Sequence, residues 1–180
     1  MLIRRAERRA AQPGLMSAET TVDWWHVAYE FIVDAAMAQA IHPDKQVASW
    51  LRGVILGIVR RSEDEWAGPA FRSHGDGPAV GHLETAHLSW AVSLCYNCCP
   101  DMFAAEVQEE IRQVLRERAI PMCRRWMDQH THLANWRCIL LAGVTMAATA
   151  IEDREELTRC AADWRVCVEA FEEDGTYGES

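Results

Sequence analysis

The stretch that decides the fold runs over residues 134–151 and reads ANWRCILLAGVTMAATAI. Drawn as an α-helix, it is apolar or small on almost every face, and a helix of this kind is buried on most sides. It is long enough to be taken for a membrane span, but Asn135, Arg137 and Thr145 and its many small residues favour a packed core helix. We therefore predict a buried helix around which the rest of the chain packs.

The rest of the chain repeats the apolar spacing of amphipathic helices and shows no strand pattern. A first helix is expected from a cap among Ser17, Thr20 and Thr21 to about Ile41. The later helices are expected over about 43–59, 82–98, 104–118, 134–151 and 154–172, with a further segment over 122–129 after Pro121 kinks or splits the fourth. These long antiparallel pairs predict an all-α fold, either a bundle or an incomplete α/α toroid whose fifth helix is inner and whose fourth is outer.

The length of 180 residues suits one domain, and a hydrophobic content of 49% is enough to bury a core. The formal net charge of -9 argues against nonspecific binding to nucleic acid, although a local basic cleft for an acidic ligand remains open. Arginines crowd the first residues, so we predict a flexible basic arm over 1–16 and a helical domain over 17–180. Neither a signal-peptide core nor a membrane-length apolar run is present, which predicts a chain that is cytoplasmic as written.

Seven cysteines cannot all pair within one chain. Cys138, Cys160 and Cys167 fall on helical patterns and are expected to be reduced and to pack as small apolar residues. The run from Cys95 to Cys99 contains a Cys-x-x-Cys-Cys cluster, but no second ligand pair follows at zinc-site spacing. We therefore predict no metal site and no cofactor.

Residues 62–81 form the longest break between helices, and a loop of this length in a compact domain is often functional. Trp66 and Arg72 within it are candidates for the rim of a ligand cleft. The alternative is a covering loop whose aromatic residues fill the core. Two polar clusters are further candidates: residues 130–136, which read HTHLANW, and residues 174–179, which read DGTYGE.

The residues of these two clusters can also be explained by structural roles, without a shared binding site. Asn135 is also a suitable cap for the helix that follows. His130 and His132 fit a solvated turn, Trp136 fits the core as well as it fits a sugar platform, and Tyr177 fits a loose terminal segment.

The two clusters resemble motifs of the heparinase II/III-type polysaccharide lyases. The run from Asn135 through Ala150 is similar to the family's helix that begins with Asn-Trp-Asn and continues with small apolar residues. Residues 174–179 are similar to the Asp-Gly-x-Tyr-x-Glu-Gly segment that follows one helix later. Earlier helices resemble the family as well, so that the likeness covers about residues 82–180 well and 20–70 weakly.

The resemblance implies part of an α/α toroid that binds acidic polysaccharides and cleaves uronic-acid linkages by β-elimination. Family members are often periplasmic or secreted, and a β-sandwich region follows their toroid. We expect this chain to correspond to an incomplete toroid, which leaves open whether it is active as it stands.

The resemblance also implies the site residues. Asn135 would contact a substrate carboxylate, and His132 or His130 would replace the donor that the family often has where Ala134 stands here. Tyr177 and Glu179 match the Tyr-x-Glu of the second motif. The predicted catalytic residues are thus Asn135, Tyr177 and His132, and the predicted substrate-binding residues are Trp136, Glu179, Arg72, Trp66 and His130.

The alternative function is a non-catalytic helical binding or dimerisation module. An incomplete toroid leaves helix faces without neighbours, and large apolar patches drive association. A homodimer through such faces is the partner that this alternative predicts.

Overall fold

The computed structural model describes residues 2–11, 24–68, 77–130, 135–169 and 171, and within these ranges the chain is helical with no β-strand. The helices are α1 (Leu2–Ala10), α2 (Trp24–Ile41), α3 (Lys45–Val59), α4 (Leu83–Cys98), α5 (Ala105–Val114), α6 (Ile120–Gln129), α7 (Asn135–Ala150) and α8 (Arg154–Val168). A π-helical turn, Leu115–Ala119, joins α5 to α6, and short 3-10 turns occupy Asp64–Trp66 and Pro100–Met102. The predicted all-α class is confirmed.

Helices α4 and α7 form the centre of the molecule and make the most extensive contact between any two described elements. Helix α2 packs against α4, so α2, α4 and α7 make a central row. The intervening helices along the chain, α3 and then α5 with α6, lie beside this row, and α8 packs on α7. The predicted burial of the helix that we now label α7 is confirmed by the fully buried side chains of Leu140, Leu141, Val144, Ala147 and Ala148.

A glycine makes the close approach of α4 and α7 possible. A Cβ added at Gly143 would lie 2.8 Å from the Ala86 Cα and 2.9 Å from the Ala86 carbonyl oxygen. Distances this short are not tolerated between a side chain and a backbone, so the two helix backbones can meet here only because both residues are small.

Local capping explains most helix boundaries. The Asp44 carboxylate accepts hydrogen bonds from the N–H groups of Gln46 (2.8 Å) and Val47 (2.9 Å), so Asp44 caps α3. The helix therefore begins after Asp44 and not at Pro43, as the sequence had predicted. Asp153 caps α8 in the same way through the N–H of Glu156, at 2.9 Å. Helix α8 ends at Val168, earlier than expected, and Glu169 and Phe171 beyond it are exposed.

Pro121 does interrupt the fourth predicted helix, and the interruption is the π-helical turn Leu115–Ala119. Proline has no N–H to donate, and its ring crowds the carbonyl four residues earlier, which here belongs to Glu117. The wider π turn relieves that steric conflict while α5 and α6 remain one continuous helix. Arg118 within the turn donates hydrogen bonds to the carbonyls of Val59 (3.3 Å) and Arg61 (2.5 Å) at the end of α3.

The prediction of a flexible arm is wrong for residues 2–10, which form α1 and pack on α2 and α3. Ala6 is fully buried. Arg5 and Arg9 form ion pairs with Asp34 at 2.7 Å and 2.9 Å, and the Arg9 guanidinium lies 3.6 Å from the centre of the Phe31 ring. These partners lie far away along the chain, so the arginines alone gave no sign of them; residues 12–16 fall outside the described ranges.

Among the described helices, none combines the length and the apolar character that a bilayer crossing requires. The cysteines in these helices are free thiols, and most are buried, as expected for small apolar residues.

Candidate functional site

The candidate site is the α7 mouth, which we define as His82, Trp126, His130, Asn135 and Trp136. Asn135 is the first residue of α7 and is exposed, and Trp136 beside it is half-buried against the core. Trp126 and His130 come from the end of α6, and His82 is the residue before α4. Three helix ends therefore meet around one aromatic cluster.

The rings of the α7 mouth are in direct contact. His130 stacks on Trp126 with ring centroids 4.3 Å apart and planes 13° apart. Trp136 lies 6.0 Å from Trp126, and His82 meets Trp136 edge to face at 5.7 Å. Aromatic contacts at these distances add to area burial, so they hold the two imidazoles close to the start of α7.

The hydrogen bond of His130 determines which of its ring nitrogens carries the proton. Its Nδ1 lies 2.8 Å from the Trp126 carbonyl oxygen, which can only accept, so Nδ1 carries the proton. In the neutral imidazole, Nε2 is then the acceptor, and in the charged form it is a donor. The backbone of α6 thus fixes the tautomer of the neutral His130 ring.

Arg137 ties the end of α6 to the start of α7. One of its terminal nitrogens, Nη1, donates to the carbonyl oxygens of Met127 and His130, each at 2.9 Å. A guanidinium at this position satisfies carbonyls that a helix C-terminus leaves without partners, and it suits the negative end of the helix dipole. It also places a positive charge beside Asn135 in a chain whose formal net charge is -9.

The α7 mouth combines an exposed amide, an imidazole stacked on an indole ring, and a second, tilted indole ring. The Asn135 amide can donate to an anionic oxygen, and His130 can donate or accept a proton. The half-buried Trp136 has an indole ring of the kind that packs against sugar rings, whereas Trp126 is buried beneath it and His130. With Arg137 adjacent, the arrangement suits a carboxylate-bearing, polyhydroxylated ligand better than an apolar one.

The prediction that Trp66 lines a ligand cleft is wrong, and the alternative of an aromatic residue that fills the core is correct. Its side chain is 0% exposed, and its Nε1 donates to the Ile58 carbonyl at 3.1 Å. The Thr85 hydroxyl also donates to the Trp66 carbonyl at 2.9 Å, which fixes the short turn against α4. No indole surface remains for a ligand.

Four predicted site residues, His132, Arg72, Tyr177 and Glu179, lie outside the described ranges, and their roles stay predictions. Of the described ones, His130 and Trp136 come together at the α7 mouth with Asn135 at its edge. The roles predicted for Asn135, His130 and Trp136 at a ligand site stay predictions.

His82 is the member of the α7 mouth that the sequence analysis did not predict. The neighbouring Gly81 is the sequence feature that could have indicated this contact. The Gly81 N–H donates to the Met122 carbonyl at 2.8 Å, and a Cβ there would lie 2.7 Å from the Met122 carbonyl carbon. Only glycine permits this approach, which brings the start of α4 against α6 and so brings His82 to Trp136.

A separate cavity of about 510 Å³ opens between the end of α3 and α5. Charged side chains line it, but they bind one another: Arg60 holds Glu110 at 2.9 Å, and the Glu117 carboxylate accepts from Gln113 at 3.0 Å. Since these groups are committed within the protein, the α7 mouth is the better candidate for ligand binding.

Comparison with known proteins adds no relative to this picture. The sequence matches no family model and no curated protein. What the chain does must follow from the geometry of the α7 mouth and from the sequence motifs around it.

Proposed function

We propose that the chain is the helical toroid portion of a polysaccharide lyase similar to the heparinase II/III type, and that it binds a uronic-acid polymer at the α7 mouth. The observation that carries this proposal is the position of Asn135, exposed at the first turn of a buried central helix beside His130 and two indole rings. A carboxylate bound there would accept from the Asn135 amide, with the positive charge of Arg137 at the junction of α6 and α7.

The order of the helices supports the toroid part of the proposal. Helices α2, α4 and α7 pack in one row, and the helices that alternate with them along the chain lie beside that row. In an α/α toroid, inner and outer helices alternate along the chain in this manner. The described helices would then form an arc of such a ring.

The proposed reaction is a β-elimination. A base removes the proton at C5 of the uronate, the electron pair forms the C4–C5 double bond, and the C4–O bond breaks while the leaving oxygen takes up a proton. The charge that develops on the carboxylate must be offset, and the Asn135 amide would do this by donating to it. His132 and Tyr177 would transfer the protons, and His130, Trp136, Arg72 and Glu179 would bind the sugar chain.

Eliminative cleavage gives an unsaturated uronate whose absorbance can be followed directly. We expect the protein, incubated with a panel of uronic-acid polymers, to produce this absorbance with one of them. Replacing one donor of this kind lowers turnover by about 10²–10³-fold in other enzymes, and Asn135→Ala should act likewise. The matched control is Asn97→Ala, the other asparagine of the chain, which is exposed at the end of α4.

Two results would contradict the proposed catalysis. One is the absence of product with every polymer at high protein concentration. The other is product whose rate is the same in Asn135→Ala as in Asn97→Ala.

A second candidate function, a dimerisation module, is favoured by one surface of α8. Trp164, Val168 and Phe171 follow one another at helical spacing and are 37%, 65% and 49% exposed. Apolar side chains in such a stripe associate when a complementary surface is present. We propose a second copy of this chain as that surface.

Replacing Val168 with Glu would place a charge in the centre of this stripe. If the stripe is a dimer interface, light scattering should give the mass of a dimer for the unchanged protein and of a monomer for Val168→Glu. Val166→Glu is the control, because Val166 is 39% exposed but lies off the stripe. A monomeric mass for the unchanged protein at all concentrations would rule the dimer out.

A further inference from the structure

Helices α7 and α8 form an antiparallel hairpin whose register pairs their cysteines. The turn between them is closed by the Asp153 N–H, which donates to the Ala148 carbonyl at 2.9 Å. Further along the interface, the Thr145 hydroxyl accepts from the Trp164 Nε1 at 3.2 Å, and Thr145 also neighbours Cys160. The interface therefore has a defined register along its length.

Two helical turns beyond the pair of Thr145 and Cys160, the same register brings Cys138 opposite Cys167. Cys138 is near enough to raise the pKa of the Cys167 thiol. Both are free in this structure. Cysteines at facing positions of two packed helices can reach the distance that a disulfide requires.

The two thiols differ in access. Cys167 is 2% exposed, whereas Cys138, in the first turns of α7, is half-buried. Burial, together with the neighbouring Cys138, raises the pKa of the Cys167 thiol to about 12. An oxidant in solution therefore meets Cys138 first, and Cys167 is held as a protonated partner behind it.

We propose that Cys138 and Cys167 are a site of reversible thiol oxidation, at which a low-molecular-weight disulfide such as oxidised glutathione creates a covalent staple between α7 and α8. The Cys138 thiolate attacks one sulfur of the small disulfide and releases one thiol. The Cys167 thiol then loses its proton and attacks the Cys138 sulfur, which releases the second thiol. Two protein thiols and one disulfide thus become one protein disulfide and two small thiols.

The order of the steps follows from the charges at the site. Once Cys138 is in the mixed disulfide, its thiolate no longer opposes ionisation of Cys167, and Arg137 nearby favours the Cys167 thiolate. The second step is intramolecular between residues at facing positions, so the mixed disulfide should not accumulate. The staple would fix α8 to the first turns of α7, next to Asn135, whether or not the α7 mouth binds a sugar.

The sequence makes the staple easy to detect. Trypsin cleaves after Arg137, Arg154 and Arg165, so Cys138 lies alone in peptide 138–154 and Cys167 lies alone in peptide 166–180. We expect the folded protein, treated with oxidised glutathione, alkylated and digested without reductant, to yield these two peptides as one linked species. Dithiothreitol should return both peptides to their free form.

Variants separate the two steps. In Cys167→Ser, glutathione should remain on Cys138, and in Cys138→Ser neither step should occur at this site. Cys98→Ser, which removes a half-buried thiol on α4, should leave the linked species unchanged. The oxidised protein should also melt at a higher temperature than the reduced one, and Cys138→Ser should abolish that shift.

Three outcomes would overturn the proposal. Both peptides could be recovered alkylated after prolonged exposure to the oxidant. Glutathione could persist on Cys138 in the unchanged protein, or Cys138 could be found linked to a cysteine other than Cys167.

Discussion

Arg124 is a charged residue held inside the fold with 5% of its surface exposed. It extends from α6 to α8, where its Nε donates to Glu156 at 2.5 Å and its terminal nitrogens contact Glu156 and Asp163. Burial alone would lower the pKa of this guanidinium, but the hydrogen bonds and charges of the two carboxylates raise it. The cluster is thus a connection between elements and not a surface ion pair.

Removing that side chain should be costly. Arg124→Ala leaves two partly buried carboxylates without their cation, and breaking a buried pair typically costs about 3–5 kcal/mol of unfolding free energy. Arg159→Ala is the matched control, because Arg159 pairs with Asp128 at the surface, and exposed pairs contribute about 0–1 kcal/mol. Urea unfolding of both variants measures the difference, and similar losses would show that the Arg124 cluster is not special.

Some residues of the candidate site could be predicted from the sequence. Asn135 and Trp136 were found because their motif opens a helix with an unmistakable apolar pattern, and His130 was found because it lies close by. His82 was missed because its contact with Trp136 depends on how α4 and α7 pack. Trp66 was assigned to a ligand cleft because an aromatic residue in a loop looks the same in sequence whether it faces solvent or fills the core.

Among the elements, boundaries set by local chemistry were predictable, and those set by distant contacts were not. The end of α2 and the extents of α4 and α7 agree with the expected ranges within about one residue, because breakers and caps lie next to them. The π-helical turn before Pro121 was expected only as a kink. Helix α1 was missed, since its arginines find Asp34 and Phe31 on another helix.

The contact of α4 with α7 depends on Gly143. Gly143→Ala would place a Cβ 3.0 Å or less from three atoms of Ala86, two of them in its backbone, and overpacking of this kind costs about 1–3 kcal/mol. Gly53→Ala is the control, since Gly53 lies in α3 with nothing within 4 Å of an added Cβ. Alanine is the better helix former by about 0.5–1 kcal/mol, so this variant should gain stability.

Thermal melting of the two glycine variants tests the packing of the central row. The expected result is a lower melting temperature for Gly143→Ala and an unchanged or higher one for Gly53→Ala. Equal shifts in one direction would mean that the α4–α7 contact is looser than described.

For the whole molecule, composition predicted the class of fold but not the arrangement of helices. Apolar periodicity and the absence of strand patterns suffice for an all-α chain, because both are local properties. The row of α2, α4 and α7 depends on which faces meet, and a single sequence does not encode that in any local pattern. Charge has the same limitation as a predictor. A formal net charge of -9 does not indicate that the guanidinium of Arg137 lies next to the α7 mouth.

We proposed that the α7 mouth binds an acidic sugar chain, and this binding can be measured without turnover. NMR signals of the His130 imidazole and of the Trp136 and Trp126 indole N–H groups report directly on this cluster. Titration with uronate oligosaccharides should shift these signals saturably, with weaker binding in Asn135→Ala and unaltered binding in Asn97→Ala. Signals that do not move with any uronate oligosaccharide, or that move equally in both variants, would contradict the account.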